Sequence, residues 1–315
     1  MPMLDALKRS MLQSEYLKPE VVAGFDSYKY SCLDTSPLSQ YVMHPFWNQV
    51  VKVCPGWIAP NVLTFAGFIW TVLVYLLLTI YDYSFEASSS MSSSPPVPSW
   101  VWLLGSWSIF LAHTLDGIDG KHARRTGTSS PLGELFDHGL DSWTTAIIPV
   151  CLYSIFGIQD YSATRLYFCL WNVLICFYLS HWEKYNTGLL YLPWSYDFSM
   201  LTCALVFLIT GVLGHELWKV ALPLINISVG TLFETMLYLG SMGLTLPLSA
   251  LHVYLQPSPK HNLWEMHRPL LPLMGLLVSS SWWATHSPNG ILDRDPRCFF
   301  FLTGTLGRCT GLCFL

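Results

Sequence analysis

Apolar stretches with few or no charges, each near the length of a bilayer-crossing helix, recur along this chain and constrain its fold more than any other feature. A hydrocarbon core of about 30 Å needs about 20 apolar residues in helical form. Spans are read at Ile58–Ile80, Val97–Leu115, Leu140–Ile158, Leu166–Ser180, Phe198–Gly214, Thr235–Leu255 and Leu270–Thr285. Val220–Phe233 is uncharged but short, which fits an interfacial or re-entrant piece or part of a longer tilted helix. Cys298–Gly307 is apolar and ends early, followed by Arg308, and reads as a helix cut off midway in a truncated tail. Leu38–Val53, with Pro45, Phe46 and Trp47, suits an amphipathic helix lying at the interface. Ser88–Pro98 is a loop by composition. The expected class is all-α: a polytopic transmembrane helical bundle with an N-terminal interfacial helix. Its expected parts are a cytosolic or interfacial segment (1–57), a transmembrane domain (58–297) and a short apolar tail (298–315).

Composition narrows the function classes. Charged residues make up 11% of the 315, against about a quarter in a soluble globular domain, which excludes a disordered chain and disfavours a water-soluble enzyme. A net charge of −4 offers no basic footprint for nucleic acid. The nine cysteines are scattered, mostly within apolar runs, and no C-x-x-C pair occurs; Cys309 and Cys313 are one residue too far apart for it. They read as small apolar packing residues. The positive-inside rule, applied to Lys8, Arg9, Lys18, Lys29 and Lys52, to Lys121, Arg124 and Arg125, to Lys184, and to Lys260 and Arg268, puts the N-terminus and the Asp116–Gly139 loop in the cytosol. Arg165, Lys219, Arg294 and Arg297 fall on the other side.

The chemistry concentrates in one stretch. Asp116 and Asp119 are three residues apart, and Asp137 and Asp141 are four apart. On helices each pair shares a face, and two such helices packed together bring four carboxylates around one small volume. Like charges that close repel unless cations sit among them. Oxygen donors without a cysteine or histidine cluster point to Mg²⁺ or Mn²⁺, two ions being expected, with Ca²⁺ as a competitor. Such ions hold a phosphoryl group and neutralise the attacking and leaving oxygens. Gly117 and Gly120 allow backbone or a neighbouring helix to come close to a phosphate, and Lys121, Arg124 and Arg125 offer positive charge to a pyrophosphate. The bland alternative, a helix–loop–helix with acids facing water, is disfavoured because acids abutting apolar spans are expensive.

The full spacing is D-G-x-D-G-x-x-A-R, eight residues, then G-x-x-x-D-x-x-x-D, met by Asp116, Asp119, Gly120, Ala123, Arg124, Gly133, Asp137 and Asp141. It resembles the signature of the CDP-alcohol phosphotransferases. Pro60-Asn61-Val62-Leu63-Thr64 is similar to that family's P-N-x-x-T element. Tyr28–Ser31, His44–Asn48 and Ser180–Gly188 are similar to its eukaryotic choline/ethanolamine branch, most of all to ethanolamine-using members. Metal ligation by Asp116, Asp119, Asp137 and Asp141 is what the resemblance implies, with Asn61, Gly120, Arg124 and Glu134 facing the CDP moiety; Lys121 and Gly133, inside the motif, are counted with them. It also implies CDP-ethanolamine and a diacylglycerol or ether-lipid acceptor as partners within the lipid bilayer, a second copy of the chain as an option, and no nucleic acid. The endoplasmic reticulum membrane is the implied site, with the Golgi second.

A base for the acceptor hydroxyl remains to be assigned. The family's last motif acid, here Asp141, is one choice. His138 is preferred, because a cation-bound carboxylate accepts a proton poorly, whereas an imidazole accepts one near neutral pH. His122 reads as a bystander, and His113 and Thr114 as packing residues with satisfied hydrogen bonds. His181, Glu183, Lys184 and Asn186 either line a headgroup pocket or mark a cytosolic helix end. Rival readings are cholinephosphotransfer, an inactive truncated membrane protein and, weakest, a cation channel with an acidic ring.

Overall fold

In the computed structural model, residues 30–256 and 260–312 are described; the expectations for residues 1–29, including Tyr28 and Lys29, and for Cys313 lie outside them. The chain opens with a three-residue strand β1 (Cys32–Asp34), one π-helical turn (Ser39–Met43) and helix α1 (His44–Val53). Four long helices follow: α2 (Pro60–Tyr81), α3 (Ser99–Thr126), α4 (Pro131–Phe156) and α5 (Ala163–Thr187). Next come β2 (Leu190–Leu192), α6 (Ser195–Leu213), a 3₁₀ turn (His215–Lys219) and α7 (Val229–Gly240). A π-helical turn (Ser241–Thr245) joins α7 to α8 (Leu246–Tyr254), and α9 (Leu263–His267), α10 (Leu270–His286), α11 (Ile291–Arg294) and α12 (Pro296–Leu312) complete the order.

Among the described residues, five stretches are long and apolar enough to cross a bilayer: α2, α4, α5, α6 and the continuous run Val229–Tyr254. The protein is a multi-pass membrane protein of all-α architecture. The helix of the second expected span, α3, is apolar only over its first half, because its second half carries the acidic motif. The seventh expected span is α10, 17 residues long.

Several boundaries differ from expectation, for reasons visible locally. The stretch Asp116–Gly139 is not a loop: α3 runs to Thr126 and α4 starts at Pro131, leaving a connection of only four residues, 127–130. Gly127 ends α3 in the left-handed conformation (φ 68°), its N–H donating to the Ala123 and Arg124 carbonyls. Ser130 then caps α4, its hydroxyl accepting from the Gly133 N–H, with Pro131 in the first turn. These punctuation residues make a helical hairpin, and the charged residues ride on its helices. Val220–Phe233 is divided, with an antiparallel bridge between Ala221 and Ser228 preceding α7.

The core forms where α3, α4, α5, α6 and α12 meet. Ile109, Ile155, Leu170, Phe207, Phe299 and Phe300 are all fully buried. Arg297, at the start of α12, is also buried: it donates to the Tyr83 and Asp82 carbonyls and lies over the Phe85 ring, so a cation closes one end of the bundle. On the opposite side, the π-helical turn and α1 together bury Met43, Trp47 and Val51 against Leu63 of α2 and Ile118 of α3 and leave Tyr41 and Phe46 exposed, as an interfacial amphipathic helix requires. The parallel pair β1–β2, Cys32 to Leu190 and Asp34 to Leu192, has no counterpart among the expectations and ties the segment before α1 to the α5–α6 connection.

Close approach of α3 and α6 depends on Gly105, where a Cβ would lie 2.5 Å from the buried Phe207 ring. Gly105→Leu is expected to destabilise the protein by about 1–3 kcal/mol through overpacking, read as a lower thermal unfolding midpoint in detergent. Gly243→Leu, where a Cβ meets nothing within 4 Å, is the control expected to leave that midpoint unchanged.

Candidate metal and phosphoryl-transfer site

The hairpin of α3 and α4 brings the acidic residues together. Asp116 and Asp119, one turn apart on α3, and Asp137 on α4 each offer a carboxylate oxygen, and these atoms all lie within 4.8 Å of one another. Asp141, one turn further along α4, lines the same cavity and is in electrostatic range of Asp116 and Asp119, outside that closest triple. Hydrogen bonds from two other helices orient the acids. Tyr196, in the first turn of α6, donates its hydroxyl to Asp116 Oδ2 at 2.8 Å, and Thr64, in the first turns of α2, donates to Asp119 Oδ2 at 2.5 Å. Asp137 Oδ1 is buried with no hydrogen-bond partner among the described residues. Oxygen-only donors, like charges in contact and an unmatched buried carboxylate oxygen together fit a hard divalent cation.

The acids stand at one end of a cavity of about 1570 Å³ that extends through the bundle. Asn61, Gly120, Lys121, Arg124, Gly133, Glu134 and His138 all line it. Gly120 and Gly133 lie open: a Cβ at Gly120 would come no nearer than 3.6 Å to Arg124, and one at Gly133 would sit 3.4 Å from the Ser130 hydroxyl and 3.6 Å from Asn61. His138 is buried and meets His181 edge to face, with ring centroids 4.9 Å apart. Glu134 is engaged by the Lys184 ammonium, which also lies 5.9 Å from the Tyr30 ring centroid.

Some residues play parts other than those expected. Gly117 does not open space for a phosphate; a Cβ there would fall 2.2 Å from the Trp47 indole, so it seats α1 against α3. Arg125 turns away from the cavity and donates to the Val51 and Cys54 carbonyls, latching the end of α1. His122 is fully buried and bonds the Ile58 carbonyl at 2.8 Å, a structural contact. Of the polar cluster ending α5, His181 lines the cavity, whereas Glu183 is buried against His252 and Asn186 donates to the Trp182 carbonyl.

Sequence reasoning missed the α6 contribution. Beside Tyr196, Asp197 receives the Ser39 hydroxyl and stands 3.2 Å from His113, joining the entry to α1, α3 and α6 behind Asp116. The available signal was an acid abutting the apolar run that begins at Phe198. For Tyr196 there was none, because tyrosines near span ends are ordinary interface residues.

Residues 57–232 match the CDP-alcohol phosphatidyltransferase family. The chain is 48% identical over 299 residues to human ethanolaminephosphotransferase 1, covering 92% of this chain and 74% of that protein. It is likewise 48% identical over 297 residues to the mouse ethanolaminephosphotransferase 1, with the same coverage. Similarity to the Arabidopsis thaliana choline/ethanolaminephosphotransferase 1 is 40% over 207 residues, which is 64% of this chain and half of that protein.

Tyr196→Phe removes one donor to Asp116 and keeps the ring. It is expected to weaken Mn²⁺ binding about tenfold, at the low end of the loss typical of outer-sphere ligand partners, measured by electron paramagnetic resonance of free Mn²⁺ over the detergent-solubilised protein. Unchanged affinity would leave the tyrosine a packing role alone.

Proposed function

The chain belongs to the CDP-alcohol phosphatidyltransferase family, and we propose that it transfers phosphoethanolamine from CDP-ethanolamine to diacylglycerol or an alkyl- or alkenyl-acylglycerol, giving phosphatidylethanolamine and CMP. The observation that carries this reading is the convergence of Asp116, Asp119 and Asp137 at the end of a large, mainly apolar cavity. That arrangement serves one substrate rich in phosphate and another rich in hydrocarbon. The choice of ethanolamine over choline is supported by the names of the 48%-identical relatives.

The family is metal-dependent. Asp116, Asp119, Asp137 and Asp141 are the residues that would hold Mg²⁺ or Mn²⁺, whose chemistry is charge neutralisation on the diphosphate and on the leaving CMP oxygen. Around them, Arg124 and Lys121 give positive charge for the pyrophosphate, and Gly120 and Gly133 leave room for it. Asn61 and Glu134 line the cavity beside them and face the donor. As in other phosphoryl transfers, positioning and electrostatics carry most of the catalysis. The acceptor hydroxyl attacks the phosphorus bearing ethanolamine while CMP departs. His138 takes the proton from that hydroxyl; its position on α4 beside Asp137, lining the cavity and held edge-on by His181, supports this role over Asp141.

The membrane is proposed to be that of the endoplasmic reticulum, with the Golgi second and the acidic centre on the cytosolic side. The orientation is supported by Lys121, Arg124, Arg125 and Lys184 lying at that end of the bundle.

His138→Ala is expected to lower CMP release by about 10²–10⁴-fold, the span of general-base contributions, while CDP-ethanolamine binding persists. Asp116→Ala is expected to lose metal-dependent binding as well. Equal activity of His138→Ala and the parent protein removes the base assignment. In a competition assay, CDP-choline is expected to lose to CDP-ethanolamine; the reverse order would make the protein a cholinephosphotransferase.

A further inference from the structure

The cavity continues far beyond what phosphoryl transfer needs. Antiparallel α4 and α5 line it for most of their length: His138 and His181 are in ring contact at the acidic end, and Phe156 and Tyr161 are in ring contact at the other. From Asp141 to Phe156 is fifteen residues, or about 22 Å of helix, which exceeds one leaflet's half of a hydrocarbon core of about 30 Å. Between its ends the walls are apolar, including Ile148, Leu152, Val173 and Phe233.

The far end is lined in part by charge. Arg165, in the first turn of α5, pairs with Glu234 of α7, and both face the cavity. Arg165 Nη2 also donates to the Thr231 hydroxyl at 3.1 Å, and its guanidinium lies 4.4 Å from the Tyr161 ring centroid. Glu234 takes a second contact, at 3.7 Å, from the Cys169 thiol. An ionisable pair within membrane-spanning helices is costly unless it has a task, and a hydrocarbon end pressed against it desolvates polar atoms without returning a hydrogen bond.

We propose that the Arg165–Glu234 pair is the floor of a channel for one acyl or alkyl chain of the acceptor lipid, and that it sets the longest chain the protein accepts. The inference rests on the acceptor assignment made above. The hydroxyl of the acceptor stands at the aspartates, its chain follows α4 and α5, and its terminal methyl stops at the ion pair. Up to that length each added methylene gains apolar contact; beyond it the chain must fold back or leave the channel.

Two measurements test this. First, a diacylglycerol whose acyl chain ends in a diazirine is photolysed with the purified wild-type protein, and the adducts are mapped by mass spectrometry. Adducts are expected on residues around the pair, such as Cys169 and Phe233; adducts confined to lipid-facing surfaces overturn the proposal. Second, CMP release is measured across diacylglycerols of increasing chain length. Arg165→Met/Glu234→Met removes both charges together, so that neither is left without its partner. The double variant is expected to use the first acceptor beyond the wild-type limit about tenfold better than wild type, the scale of discrimination by one misfitting methylene. An unshifted limit also overturns the proposal. If wild type releases no CMP with any acceptor yet the adducts map to the pair, the transferase reading fails and the channel stands. If it releases CMP and the adducts lie elsewhere, the channel falls and the transferase reading stands.

Discussion

Mutual repulsion among carboxylates inside a low-dielectric bundle is the constraint around which this protein is arranged. Asp116, Asp119 and Asp137 are held within 4.8 Å of one another, a placement that like charges resist and that the surrounding scaffold must impose. It does so from several directions. A four-residue connection keeps α3 and α4 adjacent, so the two halves of the motif cannot separate. Hydroxyl donors from α2 and α6 fix the orientation of two of the three acids. Cations on the same end, Arg124 and Lys184 among them, offset part of the field.

The remainder of the bundle follows from having one wet, charged end in an otherwise apolar molecule. Glycines let the acidic helix come close to its neighbours: Gly105 meets Phe207 and Gly117 meets Trp47, so α3 is gripped on both its apolar and its charged half. The largest buried cation, Arg297, is spent at the opposite end, where backbone carbonyls of the loop after α2 receive it. The buried cation is thereby kept away from the acids, and the middle of the bundle holds neutral polar contacts, such as the Ser241 hydroxyl donating to Asn172, among its hydrocarbon.

Much of this was legible from the residues alone. The all-α membrane architecture followed from apolar run lengths, and the approach of Asp137 to Asp116 and Asp119 followed from their helical spacing. The hairpin was harder to read, because a stretch dense in charge resembles a loop until Gly127 and Ser130 are recognised as a helix stop and a helix start. Gly117 was read as phosphate-facing for its missing Cβ and Arg125 for its charge, whereas the face each presents is decided by α1, whose docking no local pattern encodes. Tyr196 and Asp197 reach the centre from 80 residues away along the chain, and a contact of that sequence separation leaves no periodic trace.

The short parallel strand pair carries a consequence for how the protein is made. Parallel strands require a long crossover, and here the crossover from Asp34 to Leu190 contains α1 to α5. Tyr30, Cys32 and Asp34 on one side of that seam, and Leu190 and Leu192 on the other, all border the cavity near the acids. A nascent chain leaving the ribosome therefore carries its acidic hairpin into the membrane well before the rim around it can close. Until Leu190–Leu192 has been made the β1–β2 seam cannot form, and the acidic hairpin lacks that part of its rim, while α6 to α12 are still to follow.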